Sequence, residues 1–355
     1  MKILSTTLLC LFATLSVWAQ QPKNAKIDSL ERVIATTKVD TVKGRSLCRL
    51  GRELVNMGEY EIALKKANEG LSLLERQKDR EGIADGLRVV GGVYTIQNNY
   101  PVALSYFQKS LKIFEQIGNQ EGIAKSLNNI AIIYDYEGKT TEALKYYYQS
   151  LSIFEGKGNQ QAVATCLVNI GIIYFGQENY SKAKECYEKS LKIFEQVKDQ
   201  RGIAYTLQHI ALLYEEEKDY PRALEYLQKS LQMSEQMGDI RHVANCLGNM
   251  GNIYHDGVKN PTKALEYYQK QLQIFEKISD QEGITISLQH LAAINHSLKN
   301  YPAAKSYAEQ SLRLAQEINH PEHIGQGAAT LYKADSALGN WKEAFNAILV
   351  VLHLT

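Results

Sequence analysis

Proline is scarce, with six in 355 residues. Long helices are therefore left unbroken, and 45% hydrophobic with 22% charged residues fits a soluble helical protein. Charge of either sign is not in excess. Lys and Arg number 40 against 39 Asp and Glu, a net charge of +1, so nothing marks nucleic acid or anionic lipid as a partner. Catalytic signatures are lacking too: there is no GxSxG, no P-loop, no HExxH and no Gly-rich nucleotide loop after a strand. No enzymatic activity and no cofactor are expected. Beyond Cys10 the cysteines are Cys48, Cys166, Cys186 and Cys246. Their spacing matches neither a small disulfide framework nor a zinc pattern. They read as small buried hydrophobes, with Cys166 and Cys186 as the pair best placed for a bridge.

What the chain does contain is a repeat. Ala63, Ala103, Ala143, Ala183, Ala223, Ala264, Ala304 and Ala344 follow one another at 40 residues, with a single step of 41. A fixed period of this size signals stacked supersecondary units. The long step is expected to fall in the turn Val258-Lys-Asn-Pro-Thr, where an extra residue does least harm. Other columns keep phase with the Ala. Sixteen before it stand Leu47, Leu87, Leu127, Leu167 and Leu207; twelve before it, Gly51, Gly91, Ala131, Gly171 and Ala211; nine before it, Tyr94, Tyr134, Tyr174 and Tyr214. Leu247, Gly251 and Tyr254 continue these columns across the long step. Four after the Ala are Phe107, Tyr147, Tyr187 and Tyr268. This spacing puts the apolar and small residues on one helix face, where two helices approach closely.

Large, Leu, Gly or Ala, Tyr, then Ala and Phe or Tyr resembles the tetratricopeptide repeat pattern over about residues 41–350. The resemblance implies an all-α fold, a right-handed superhelical solenoid of antiparallel helix pairs with about eight repeats. The repeat is longer than the usual ~34 residues. The wording is similar to the extracytoplasmic sensor regions of bacterial histidine kinases that carry these repeats. The last repeat departs from the pattern, with Tyr332 at a small position and Asp335 at a Tyr position.

Residues 1–19 read as a cleavable secretory signal: Lys2, an apolar run from Ile3 to Val17, and a small residue at Ala19. The mature protein is thus expected to be exported, periplasmic or extracytoplasmic, with no membrane span beyond the signal. Residues 20–40 are a polar lead-in and a capping helix, and 41–355 the solenoid. The terminal stretch from Ala344 is apolar on nearly every side yet too short to span a bilayer. Either the reading frame is truncated, or this helix is covered by a partner or by the same helix in a homodimer.

The informative surface is the first-helix face opposite the packing residues, which lines the concave groove in solenoids of this kind. It carries Asn128, Asn129, Asn169, His209, Asn249 and His290, with Lys125, Tyr205 and Asn245 alongside and an apolar strip of Ile132, Ile172 and Leu212. Amide side chains hold both a donor and an acceptor and suit a peptide backbone, the apolar strip its side chains. In peptide-binding relatives the column of Asn129, Asn169 and Asn249 contacts ligand backbone. The competing reading is that these amides only bond neighbouring helices. His255 and His296 share a column, but no HxH, no i,i+4 His pair and no matched carboxylate appear, so no metal is expected. The leading expectation is a non-catalytic protein- or peptide-binding scaffold serving as the input region of a signalling receptor. The alternative is a structural adaptor assembling envelope proteins through its convex face or C-terminal helix.

Overall fold

The computed structural model describes residues 25–352. The expected signal, residues 1–19, lies outside them. Among the described residues the fold is all-α, without a strand. The helices are α1 (Ala25–Thr36), α2 (Asp40–Asn56), α3 (Tyr60–Arg76), α4 (Arg80–Ile96), α5 (Tyr100–Ile117) and α6 (Gln120–Tyr136). They continue as α7 (Thr140–Gly156), α8 (Gln160–Gly176), α9 (Tyr180–Gln196), α10 (Gln200–Glu216), α11 (Tyr220–Met237) and α12 (Ile240–Asn252). After a π-type turn, Ile253–Gly257, come α13 (Pro261–Lys277), α14 (Gln281–Ser297), α15 (Tyr301–Glu317), α16 (Pro321–Leu338) and α17 (Trp341–Leu352).

The chain forms two compact units that part between Gly122 and Ile123. In the first, α1 packs on α2, α2 pairs with α3, and α4 with α5. The second runs from within α6 and holds the remaining helix pairs. Each pair closes on its small residues. Ala103, Ala143, Ala183, Ala223, Ala264 and Ala304 are all 0% exposed. In the second unit the core gathers in clusters that span neighbouring pairs: Tyr147, Phe154, Ile170 and Ile173 share one, and Leu227, Leu231, Met250 and Ile253 another. Burying a side chain of this size contributes about 1.5–3 kcal/mol.

The turns between helices follow one rule. From α2 onward a residue at positive φ ends the first helix of each turn, either glycine, as at Gly138 (72°), or an exposed polar residue, as at Lys198 (57°). Next comes a side chain that caps the following helix. Asp79, Asn119, Asn159, Asp199, Asp239 and Asp280 each accept the backbone N–H three residues on. His320 takes this place before α16.

One detail differs from the sequence expectation. The extra residue of the long step is absorbed before the loop, in the π-type turn Ile253–Gly257, where Asn260 N–H reaches back to the Tyr254 carbonyl at 2.7 Å. Widening one helical turn keeps Leu247, Gly251 and Tyr254 in register with their columns. Cys48, Cys166 and Cys246 are buried and Cys186 half-buried, and all four are free. In the last repeat the unexpected Asp335 is buried and bonded by Lys305 Nζ at 2.7 Å and Asn340 Nδ2 at 3.0 Å, so a polar anchor replaces the aromatic. In α17, Ala344 and Ala347 are buried while Trp341 and Phe345 are 70% and 60% exposed. No helix among the described residues is long and apolar enough to cross a membrane.

Candidate functional site

The first-helix face of the second unit is built by α6, α8, α10, α12 and α14. The Leu and small columns of these helices face the core. The residues between them, Asn128, Asn129, Asn169, His209, Asn245, Asn249 and His290, are half-buried, as are Lys125, Ile132, Ile172 and Leu212. Tyr205 is exposed. All twelve expected residues thus keep some exposure, but they are not equivalent. Asn169 Nδ2 donates to Asn128 Oδ1 at 3.4 Å, and Cys166 Sγ sits 3.7 Å from the same oxygen. That pair bonds two neighbouring repeats, as the scaffold reading supposed. Asn129, Asn245 and Asn249 make no side-chain hydrogen bond among the described residues. Ile132 and Ile172 lean partly on the core clusters beneath them.

His209 and His290 sit above the aromatic column. The His209 ring stacks on Tyr187 with centroids 5.4 Å apart, and His290 lies 4.7 Å from Tyr268 with Nδ1 at 3.1 Å from Gln271 Oε1. Burial first, then a neighbouring imidazole, pushes each down to about 4. Both rings are neutral at pH 7, with one donor and one acceptor each. His209 therefore does not interrupt the amide column electrically, because it offers the same inventory as Asn. Glu215, near the C-terminal end of α10, is pushed up to about 7 by burial and then by Glu216 and Asp256. The amide and imidazole positions of this face are uncharged at neutral pH.

Sequence reasoning missed His242. It is fully buried, stacks on Tyr205 at 3.8 Å, and places Nε2 3.0 Å from Ser230 Oγ. Tyr205 is thus held flat from below. The available signal was a His in a column otherwise filled by Gly82, Gly122, Ala162, Gly202 and Gly283. The His320 and His323 pair, spaced i,i+3, was missed as well. His255 places Nε2 2.9 Å from Ser297 Oγ. Burial pushes Cys48 up to about 12 and Cys166 and Cys246 up to about 11, which disfavours their thiolates.

Two open clefts lie away from this face. One of about 700 Å³ is bounded by Tyr148, Tyr174, Cys186 and Lys189, and one of about 560 Å³ by Leu71, Leu87, Tyr106 and Lys109. Their linings coincide on shifting by two repeats, Leu71 onto Leu151 and Lys109 onto Lys189. They are gaps that the repeat geometry produces generally, so the clefts do not mark a specific site.

The tetratricopeptide repeat family model matches residues 82–156, 122–196, 162–236, 202–277 and 242–317. The chain belongs to this family. No curated protein matches it. Among solved structures it is similar in fold to the apo form of the quorum sensor NprR from B. thuringiensis, at 15% identity and TM-score 0.60, covering 93% of this chain and 97% of that one. A Rap protein complexed with competence and sporulation factor gives 14% and 0.61, over 93% and 96%. The Rap conjugation gene regulator of plasmid pLS20, in complex with the Phr* peptide, gives 14% and 0.61, over 88% and 96%.

Proposed function

We propose that this chain binds an extended peptide or protein segment along the first-helix face of its second unit, as the exported input region of a signalling receptor. One observation carries the reading. Asn129, Asn245 and Asn249 present amide donors and acceptors that no side-chain hydrogen bond uses among the described residues, beside the apolar Ile132 and Leu212. Neutral His209 and His290 extend that inventory. A peptide backbone is uncharged and alternates donor with acceptor, so it fits such a face without reading a particular side chain. Support comes also from structural neighbours solved with the Phr* peptide and with competence and sporulation factor. The signal expected at residues 1–19 and the expected resemblance to sensor regions favour a receptor. The exposed Trp341 and Phe345 of α17 favour the second reading, an adaptor or homodimer joined through the C-terminal helix.

The test is selection from a displayed library of random linear peptides, followed by fluorescence anisotropy on the selected sequences. Asn129→Ala with Asn249→Ala should abolish binding and leave helicity and melting temperature unchanged. Asn128→Ala, which breaks only the inter-repeat bond, should bind as wild type. Equal binding by the double variant would move the site elsewhere. Export is checked by fusing residues 1–40 to a reporter active only outside the cytoplasm.

A further inference from the structure

We propose that Glu282, His320 and His323 bind a divalent transition-metal ion of the zinc class. The three come from the last two repeats. Glu282 is the second residue of α14, His320 the cap of α16, and His323 the third residue of α16. One nitrogen from each imidazole and one carboxylate oxygen all lie within 4.8 Å of one another. His323 Nε2 stands 3.9 Å from Glu282 Oε1, and the two imidazole centroids are 4.0 Å apart. Donors at ~2.0–2.2 Å from a tetrahedral zinc are about 3.4 Å from each other. Closing the 3.9 Å pair therefore takes a shift of about half an ångström, within reach of side-chain rotation.

What the site leaves unsatisfied points to an ion. The His323 side chain is only 10% exposed, and its Nδ1 has no hydrogen-bond partner among the described residues. At 3.9 Å the carboxylate is too far to accept a hydrogen bond from Nε2. A buried imidazole nitrogen without a partner is costly unless something occupies it. His320 Nδ1 reaches the His323 backbone N–H at only 3.5 Å, a weak cap where earlier repeats place Asp or Asn.

The same register in earlier repeats is closed by direct contacts: Asn119 Nδ2 on Glu81 at 3.0 Å, Gln161 Nε2 on Asp199 at 2.7 Å, Arg241 Nη1 on Asp280 at 2.6 Å. In the last repeats a carboxylate meets two imidazoles instead. Arg241, whose charge also acts on Glu282, is itself held on Asp280 at 2.6 Å. Gln289 Nε2 donates to the His323 carbonyl at 3.1 Å and fixes the turn that carries both imidazoles.

Two imidazoles and one carboxylate select zinc, cobalt or nickel over magnesium and calcium, which require mostly oxygen donors. Three protein donors leave a fourth position for water. The ion ties the first helices of two successive repeats at the edge of the proposed peptide face. The inference does not depend on that face binding peptide.

The test uses untagged full chain, stripped with chelator and titrated with zinc chloride in a calorimeter. Melting is followed with and without zinc. One zinc per chain and a higher melting temperature with zinc are expected, with no heat from magnesium or calcium. Glu282→Gln and His320→Ala, both at positions outside the core, should keep the fold and lose the heat and the zinc-dependent stabilisation. Cys186→Ser, the variant of the half-buried thiol, should keep both. A simple Glu–His ion pair gives no zinc heat in the wild type, and that result overturns the proposal. So does zinc binding that survives Glu282→Gln and His320→Ala, or that disappears in Cys186→Ser.

Discussion

Ser150 Oγ donates to the Ala124 carbonyl at 2.8 Å, across 26 residues and from the second helix of a pair back to the first. The relationship repeats. Ser110 bonds Ala84 at 2.8 Å, Ser190 bonds Ala164 at 2.9 Å and Ser230 bonds Ala204 at 2.7 Å. All four serines are 0% exposed. A helical carbonyl already accepts one bond from its own helix and has a second lone pair to offer. The serine uses it, and this satisfies a buried hydroxyl while fixing how far the two helices slide along each other.

Ser150→Ala removes donor and hydroxyl together and orphans nothing, since the Ala124 carbonyl keeps its helical partner. The expected loss is about 0.5–1.5 kcal/mol in urea unfolding. Ser150→Val puts two methyl groups where one hydroxyl fitted and is expected to cost about 1–3 kcal/mol. A Val variant as stable as Ala would show that the helices slide freely at this point.

Gly171 carries the next prediction. A Cβ built there would lie 2.5 Å from Tyr187 Cε1, closer than packed carbons tolerate. Gly171→Ala should destabilise by about 1–3 kcal/mol. In the next repeat the same two columns hold Ala211 and Leu227, both 0% exposed and in one core cluster. Tyr187→Leu added to Gly171→Ala should therefore recover part of the loss. Thermal melts of the four proteins decide it: strictly additive losses mean that the ring moves aside instead.

How much of this was legible is clear from the columns. The Ala column alone fixed the register, because only a side chain of that size fits where helices touch, and every residue it picked is buried. Helix order and pairing followed from it. The cap residues and the buried serines were in plain sight at the same period, but their role depends on a partner 26 or 3 residues away that spacing does not name. The location of the extra residue was misread because a π-type turn is a property of the backbone and leaves no residue signature at Ile253–Gly257. The division of the amides into bonded Asn128–Asn169 and unbonded Asn129 and Asn249 rests on inter-repeat distances of a few ångströms. The approach of Glu282 to His320 and His323 likewise joins residues some forty apart.

His209 and His290 make stability depend on acid. Each is held near 4 in the folded chain against an ordinary 6.5, so the folded state prefers the neutral ring. Their contribution is complete above pH 6.5 and is lost as pH falls from 6.5 towards 4, because the unfolded chain takes up the protons first. A shift of this size corresponds to about 3 kcal/mol for each ring as an upper value. Urea unfolding of His209→Asn with His290→Asn, the residue of the neighbouring repeats, should show a shallower loss between pH 6.5 and 4 than wild type. Parallel curves would place both rings in contact with solvent.

Glu215 runs the other way. Its carboxyl is pushed from 4.5 to about 7, first by burial and then by the charges of Glu216 and Asp256. Ionising it is harder in the folded chain than in the unfolded one. Wild type therefore loses stability as pH rises from 4.5 through 7, and keeps that deficit above 7. Glu215→Gln stays neutral throughout and accepts the same neighbours. It should match wild type at pH 4.5 and exceed it at pH 8 by on the order of 1–2 kcal/mol, partial exposure trimming the full shift. The difference between the two melting curves should grow between pH 4.5 and 7 and then level off. Such a residue sits where a bound segment would bring its own charge. A basic side chain placed near Glu215 would favour the ionised carboxylate, so peptides selected by the wild type at pH 8 should be richer in Lys and Arg than those selected by Glu215→Gln. Identical selections from the two proteins would put Glu215 outside the binding face.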